Sequence, residues 1–185
     1  GKVYDSVIRN ERAGRYNGRT VQVIPHITDE IKRQILNVGA RTEADIVIVE
    51  VGGTVGDIET IPFLESIRQL IRELGRQNAV CVHLALVPVI IGGELKTKPM
   101  QHSVKQLQEA GIQPDILLCR CEQSLDEGLK KKVGLFCNVP TNSVFTSTDV
   151  EKSIYELPVL FHKEGIDSRI LEKLGLSPKK CDISP

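Results

Sequence analysis

The chain reads as a doubly wound α/β domain built on a mostly parallel sheet. Three observations predict it. Runs of β-branched and aliphatic residues at 47–51, 80–87 and 116–119 have the composition of strands buried on both faces. Stretches with helical spacing of apolar residues separate them. Glycine-containing loops follow the strands, and an open α/β sheet binds its ligands at those carboxyl ends.

Taken in order, residues 2–12 place Val3, Val7 and Ile8 on one helical face. A polar turn from Gly14 to Gly18 leads to a short strand, Val21-Gln22-Val23-Ile24, stopped by Pro25. Thr28 is suited to cap a helix whose first turn carries Asp29 and Glu30, with Ile31, Ile35 and Val38 as its stripe and Gly39 at its end. The central strand follows, then a helix over 60–74 burying Ile67, Leu70, Ile71 and Leu74. Beyond the strand at 80–87, Gly92-Gly93 precedes a helix running from about Pro99 to Ala110. A third strand at 116–119, a helix carrying Lys130, Lys131 and Lys132, a short strand at 144–145 and helices near 151–163 and 168–174 complete the pattern. Strands alternating with helices imply a parallel sheet covered on both faces.

Composition bounds the function. The 185 residues carry 24 Lys+Arg and 24 Asp+Glu, so an anion site must be local, and a nucleic-acid backbone is not the expected partner. Five cysteines without a Cys-x-x-Cys pair read as buried thiols rather than a disulfide frame or zinc site. The most apolar run, Val80 to Ile91, is broken by His83 and Pro88 and is too short to cross a bilayer. A soluble, cytoplasmic protein without nucleic-acid or membrane partners is expected. The four histidines show no metal-ligand spacing, and His83 reads as a hydrogen-bonded core residue. No Gly-x-x-x-x-Gly-Lys-[Ser/Thr] phosphate loop occurs.

Two stretches carry chemistry. In Val47-Ile48-Val49-Glu50-Val51-Gly52-Gly53-Thr54-Val55-Gly56-Asp57-Ile58-Glu59, a strand ends on a carboxylate, and a glycine loop leads to two more. This is either a ligand loop or a strand-to-helix turn with capping acids. In Lys96-Thr97-Lys98-Pro99-Met100-Gln101, two lysines that would point one way on an extended segment flank a helix start, where free N–H groups attract anions. The bland alternative is a pair of solvated lysines, and the run Lys130–Lys132 equally suits a wet helix face.

These segments, with Thr20-Val21-Gln22-Val23-Ile24-Pro25-His26-Ile27-Thr28 and Leu135-Phe136-Cys137-Asn138-Val139-Pro140, closely resemble the synthetase (amidoligase) domain of the CTP synthase family. The family aminates UTP to CTP: ATP phosphorylates the 4-oxygen, and ammonia released from glutamine by a separate glutaminase domain displaces the phosphate. The resemblance implies that Glu50 binds magnesium. It implies that Lys96, Thr97, Lys98, Pro99, Met100, Gln101 and Lys132 bind UTP. It places Asp57, Ile58 and Glu59, together with Lys96, Lys98, Gln101 and Lys132, around CTP as feedback inhibitor. Asp149 and Val150 would then lie beside the adenine of ATP. The family usually has Thr at Met100, and often Lys at Thr148.

The implied fold is the dethiobiotin-synthetase-like branch of phosphate-loop proteins, lacking its first strand and its phosphate loop. Residues 1–176 would be part of the synthetase domain and 177–185 the start of a linker to a glutaminase domain. With neither the phosphate loop nor its catalytic lysine, this stretch alone is expected to be inactive; within the intact enzyme, homo-tetramers and in some members filaments are expected. A dethiobiotin- or cobyrinate-type synthetase is the competing enzyme reading, although Lys-Thr-Lys-Pro followed by Gln is not expected there. A non-catalytic nucleotide-sensing or assembly module is the alternative from another class.

Overall fold

The computed structural model describes residues 1–178. The chain divides into two compact units, Gly1–Glu73 and the part from Leu74 onward, each of which is described by itself.

The first unit is helical: α1 (Lys2–Arg12), α2 (Thr28–Thr42) and α3 (Ile61–Leu74, whose last residue falls in the second unit). Its core is Val7, Ile27 and Ile31, with Val3, Tyr16, Val21, Ile35 and Phe63 packed around them. Charged groups at its edge are paired. Glu30, 8% exposed, accepts from Arg33 Nε and Nη2 at 2.7 and 2.6 Å and from Gln34 at 2.9 Å. The Arg33 guanidinium, ahead of burial, which opposes it, holds the Glu30 carboxyl down to about 2. Lys32 bridges Glu73 at 2.6 Å and Asp29 at 3.1 Å.

Several expectations for this unit are corrected. The run at 47–51 is not a strand; it is irregular, and Ile48 is 92% exposed. Its composition suits a buried strand, but a strand needs a ladder partner for its N–H and C=O groups. Among the described residues this unit contains no strand at all. Residues 21–24 likewise form none. Gln22 and Ile24 are extended (φ −131°, ψ 160° and φ −108°, ψ 119°), but the chain passes through a cis Ile24–Pro25 bond and one wide helical turn into α2. Thr28 does not cap: it is already helical, and its Oγ1 donates to Pro25 O at 3.0 Å. Gly39 does not stop α2, which continues to Thr42 and ends at Glu43 in the left-handed region. Val38 and Leu74, assigned to apolar stripes, are exposed.

The second unit holds the sheet. Strands β1 (Val82–Leu86), β2 (Ile116–Cys121) and β3 (Val144–Thr148) run parallel in the order β1-β2-β3, with His83 opposite Leu117 and Leu118 opposite Phe145. Parallel neighbours need crossovers, supplied by α4 (Lys98–Glu109) and α5 (Glu127–Cys137). Both crossover helices pack on the face that carries Leu117, Cys119 and Cys121, where Met100, Val104, Val133 and Cys137 close the core. The opposite face carries Ile116 and Phe145, covered by α6 (Leu157–Glu164) and α7 (Ile166–Lys173) through Phe161, Ile166 and Ile170. Helices on both faces make the unit doubly wound, as the sequence predicts. On that second face β1 presents Val82, Leu84 and Leu86 to solvent, which an internal strand would bury.

α6 begins later than predicted, after a short 3-10 turn at Ile154–Glu156 and with Pro158 in its first turn, whereas α7 begins two residues earlier than predicted, at Ile166. Residues 179–185, most of the expected linker, lie outside the described residues. The four cysteines among the described residues are free, and burial pushes the Cys119 thiol up to about 12. His83 is buried and shares a 2.9 Å hydrogen bond with Ser103, a core histidine as expected; burial lowers its pKa.

Candidate functional site

Three segments in the second unit leave the carboxyl ends of its parallel strands. From β1 the chain runs through Val87 and Pro88 into a hairpin. Val89 bridges Leu95, Ile90 N donates to Glu94 O at 2.9 Å, and Lys96 N donates to Pro88 O at 2.8 Å. The hairpin turns on Gly92 and Gly93, with φ of +97° and +81°, values that few residues other than glycine adopt.

Its return arm delivers Lys96-Thr97 directly to α4, with Thr97 as the residue before the helix and Pro99 in the first turn. Thr97 is helical (φ −81°, ψ −11°), so the extended geometry that would align Lys96 with Lys98 is absent. Both lysines are nevertheless exposed, while Thr97 and Met100 turn inward. Thr97 Oγ1 accepts from Gln101 Nε2 at 3.1 Å. Met100 is fully buried and packs in the core, so its side chain is structural; any contact it makes with a nucleotide would come from backbone.

The lysine run on α5 divides in two. Lys130 is mostly buried and lies between Glu127 and Glu164 at 3.7 and 3.8 Å, a structural role. Lys132 is exposed and forms no ion pair among the described residues. The helix is capped by Asp126, whose Oδ1 accepts from Leu129 N at 2.7 Å.

At the ends of β2 and β3 the structure adds residues that sequence reasoning missed. Arg120 Nε donates to Asp149 Oδ1 at 3.2 Å, and Gln123 Nε2 donates to Gly93 O at 3.0 Å. An arginine closing an apolar strand, with a carboxylate at the equivalent end of the next strand in sequence, was the available signal for the first. Nothing in the sequence marks the second, because a surface amide carries no spacing rule.

In the first unit Glu50 is exposed and lines a small, mainly apolar cleft of about 190 Å³ with Val3, Ile31, Ile35, Phe63 and Ile67 among its walls. The glycine loop behind it is a fixed turn. Asp57 N donates to Thr54 O at 3.1 Å, Thr60 N to Asp57 O at 3.0 Å, and the buried Thr60 hydroxyl to Asp57 O at 2.8 Å. Gly53 has φ +91°, and a Cβ there would stand 2.8 Å from Thr60 Cγ2, so both conformation and space require glycine. Asp57, Ile58 and Glu59 project into solvent from this turn. Among the described residues no three His, Cys, Asp or Glu side chains are grouped as a metal cage. Magnesium held by one or two carboxylates plus substrate phosphates requires none, and the hard oxygen donors of Glu50 fit that chemistry.

A parallel sheet wound on both faces, with basic and glycine-containing loops at its carboxyl ends, defines an open α/β domain of the kind that takes its ligands at those ends. Comparison with known proteins narrows this. Residues 1–176 match the family described as CTP synthase N-terminus, and the chain belongs to that family. It is 58% identical over 186 residues to a CTP synthase from Geobacter sulfurreducens, covering 100% of this chain and 34% of that protein. It is 53% identical over 184 residues to a CTP synthase from a Synechococcus strain, covering 99% of this chain and 34% of that one. The chain therefore spans about a third of the length of these curated relatives.

Proposed function

We propose that this chain is the later part of the synthetase domain of an enzyme that aminates UTP to CTP, a carbon–nitrogen ligase of pyrimidine nucleotide synthesis. ATP phosphorylates the uracil 4-oxygen, and ammonia drawn from glutamine by a domain outside this chain displaces the phosphate. The observation that carries the reading is the segment Lys96–Gln101. It sets two exposed cations at a helix start, at the carboxyl end of a parallel strand. Lys96, Lys98 and Lys132 bind the UTP triphosphate as charge-assisted donors. The Gln101 side chain meets the ribose or base, and Thr97, Pro99 and the backbone at Met100 shape the segment. Asp149 and Val150 flank the adenine of ATP.

Glu50 is the magnesium carboxylate; the ion, when bound, neutralises charge on the transferring phosphoryl group. Asp57, Ile58 and Glu59 hold CTP as feedback inhibitor while its triphosphate shares the lysines and Gln101 with UTP. The active form is a homo-tetramer in the cytoplasm that binds neither nucleic acid nor membrane. Among the described residues no helix is long and apolar enough to cross a membrane. These 185 residues alone are silent, because phosphoryl transfer loses positioning and charge stabilisation without a phosphate loop.

The test is made in a chain of the relatives' full length. A charge-assisted hydrogen bond contributes about 1.5–3 kcal/mol, so Lys98→Ala weakens UTP roughly 10- to 150-fold and ATP far less. Unaltered UTP affinity returns these lysines to solvated surface. Absence of glutamine-dependent CTP formation in the parent, with nucleotide binding intact, favours a sensing module.

A further inference from the structure

The hairpin that precedes Lys96 is anchored at its feet and bare at its tip. Val87 and Leu95 are buried in the core of the sheet, whereas Ile91 at the turn is fully exposed and Gly92 and Gly93 follow it in left-handed conformations. The internal bonds of the hairpin close it upon itself. They do not fix its direction, and two adjacent glycines give the tip alternative backbone conformations at little cost. Among the described residues, one side-chain hydrogen bond reaches residues 88–96 from elsewhere in the chain, the 3.0 Å contact from Gln123 Nε2 to Gly93 O. Gly93 lies on the return arm, three residues ahead of Lys96. Gln123 sits three residues past Arg120, on the turn that leaves β2.

We infer that Gln123 is a positioning residue for the uridine-nucleotide segment, holding the 88–96 hairpin through Gly93 so that Lys96, at the end of its return arm, is presented to the triphosphate beside Lys98 at the start of α4. This rests on the reading of residues 96–101 given above. Gln123 touches no reacting atom in this scheme; it acts through the hairpin. Its partner is a backbone carbonyl, so the requirement is for a donor of this reach rather than for glutamine as such. Loss of one neutral hydrogen bond changes an equilibrium about two- to tenfold. The effect falls on UTP, because the ATP segment is held separately by Arg120 and Asp149.

The experiment compares Gln123→Met, similar in shape without a donor, and Gln123→Arg, which keeps one, with the parent in a chain of the relatives' full length. Hydrogen–deuterium exchange over 88–96 is read alongside KM for UTP and for ATP. Gln123→Met should exchange faster across 88–96, with β2 and α4 unchanged. It should raise KM for UTP about two- to tenfold and leave kcat and KM for ATP within about twofold. Gln123→Arg should restore slow exchange, a readout that added charge does not mimic. Unchanged exchange in Gln123→Met overturns the proposal. So does faster exchange with an unchanged KM for UTP while Lys98→Ala raises it, an outcome that leaves the uridine reading standing. If Lys98→Ala is also without effect on UTP, both fall together.

Discussion

Arg120 Nε stands 3.2 Å from Asp149 Oδ1, joining the carboxyl ends of β2 and β3. The two side chains are 62% and 56% exposed, and an ion pair that wet contributes at most about 1 kcal/mol to folding. Its consequence is orientation: the guanidinium fixes the carboxylate that the proposed function sets beside adenine. In a chain of the relatives' full length, Arg120→Ala should raise KM for ATP by about two- to tenfold, the loss of one hydrogen bond. KM for UTP should stay within about twofold, and the unfolding free energy within about 0.5 kcal/mol. Equal losses for both nucleotides would make the pair a general scaffold element.

The sequence shows the second unit far better than the first, and the reason is where hydrogen bonds close. Strands at 80–87 and 116–119 pair with neighbours inside the same unit, so their composition and their structure agree. The run at 47–51 has an equally strong composition but no ladder partner in its own unit, and composition cannot report that. The site divides in the same way. The basic helix start at 96–101 and the glycine loop at 52–57 were legible from residue type and spacing. The inward turn of Met100, the pairing of Lys130 with two glutamates and the contacts of Arg120 and Gln123 depend on tertiary geometry.

Gly134 shows propensity and packing in conflict. It lies inside α5, where alanine is worth about 1 kcal/mol more than glycine. A Cβ there would stand 2.6 Å from Val139 O, a backbone atom that itself belongs to the helix exit, where Val139 N donates to Gly134 O at 2.9 Å. Backbone cannot swing aside, so the steric effect wins. Gly134→Ala should destabilise the chain by about 1–3 kcal/mol in urea unfolding. Gly128→Ala is the control. Its Cβ would meet only Asp126 Oδ1, at 3.2 Å, the oxygen that caps α5 at Leu129 N; the small shift this needs opposes the gain in helix propensity, and the variant should stay within about 1 kcal/mol of the parent. A stabilised Gly134→Ala variant would show that the helix exit yields.

Acid sensitivity should concentrate in α2 and α3. Glu30 is held down to about 2 by the Arg33 guanidinium, against an ordinary value of 4.5. A depressed carboxyl stabilises the fold fully above its unfolded value and loses that contribution as pH falls through the folded one, so the window is about 4.5 down to 2. The depression corresponds to roughly 1–3 kcal/mol after allowance for the exposed guanidinium. Glu30→Gln should cost about that much at neutral pH and flatten the fall in stability across the window. Glu65, held down to about 2 by Arg68, contributes the same sign, so the double variant should flatten it further. A parent and Glu30→Gln with parallel acid profiles would remove the ion pair from the account.

Under the proposed function, Glu59 bears on how the full-length enzyme distinguishes its product from its substrate. UTP and CTP share a triphosphate and a ribose, so Lys96 and Lys98 cannot tell them apart. If both triphosphates use one anion pocket, CTP can inhibit only by laying its ribose and cytosine in another direction. The proposed function assigns Glu59 to meet them. It is exposed at the end of a turn that the Thr60 hydroxyl locks to Asp57 O, and the adjacent Ile58, also exposed, can cover an apolar base edge. A carboxylate accepting a ribose hydroxyl contributes about 1–3 kcal/mol. In a chain of the relatives' full length, Glu59→Ala should therefore retain turnover while raising the CTP concentration for half inhibition about tenfold or more. KM for UTP should move less than about twofold. Glu50→Ala is the contrast and should abolish turnover by removing the carboxylate proposed to hold magnesium. If Glu59→Ala weakens UTP as much as it relieves CTP, Glu59 belongs to the substrate site, and the discrimination lies elsewhere on the turn.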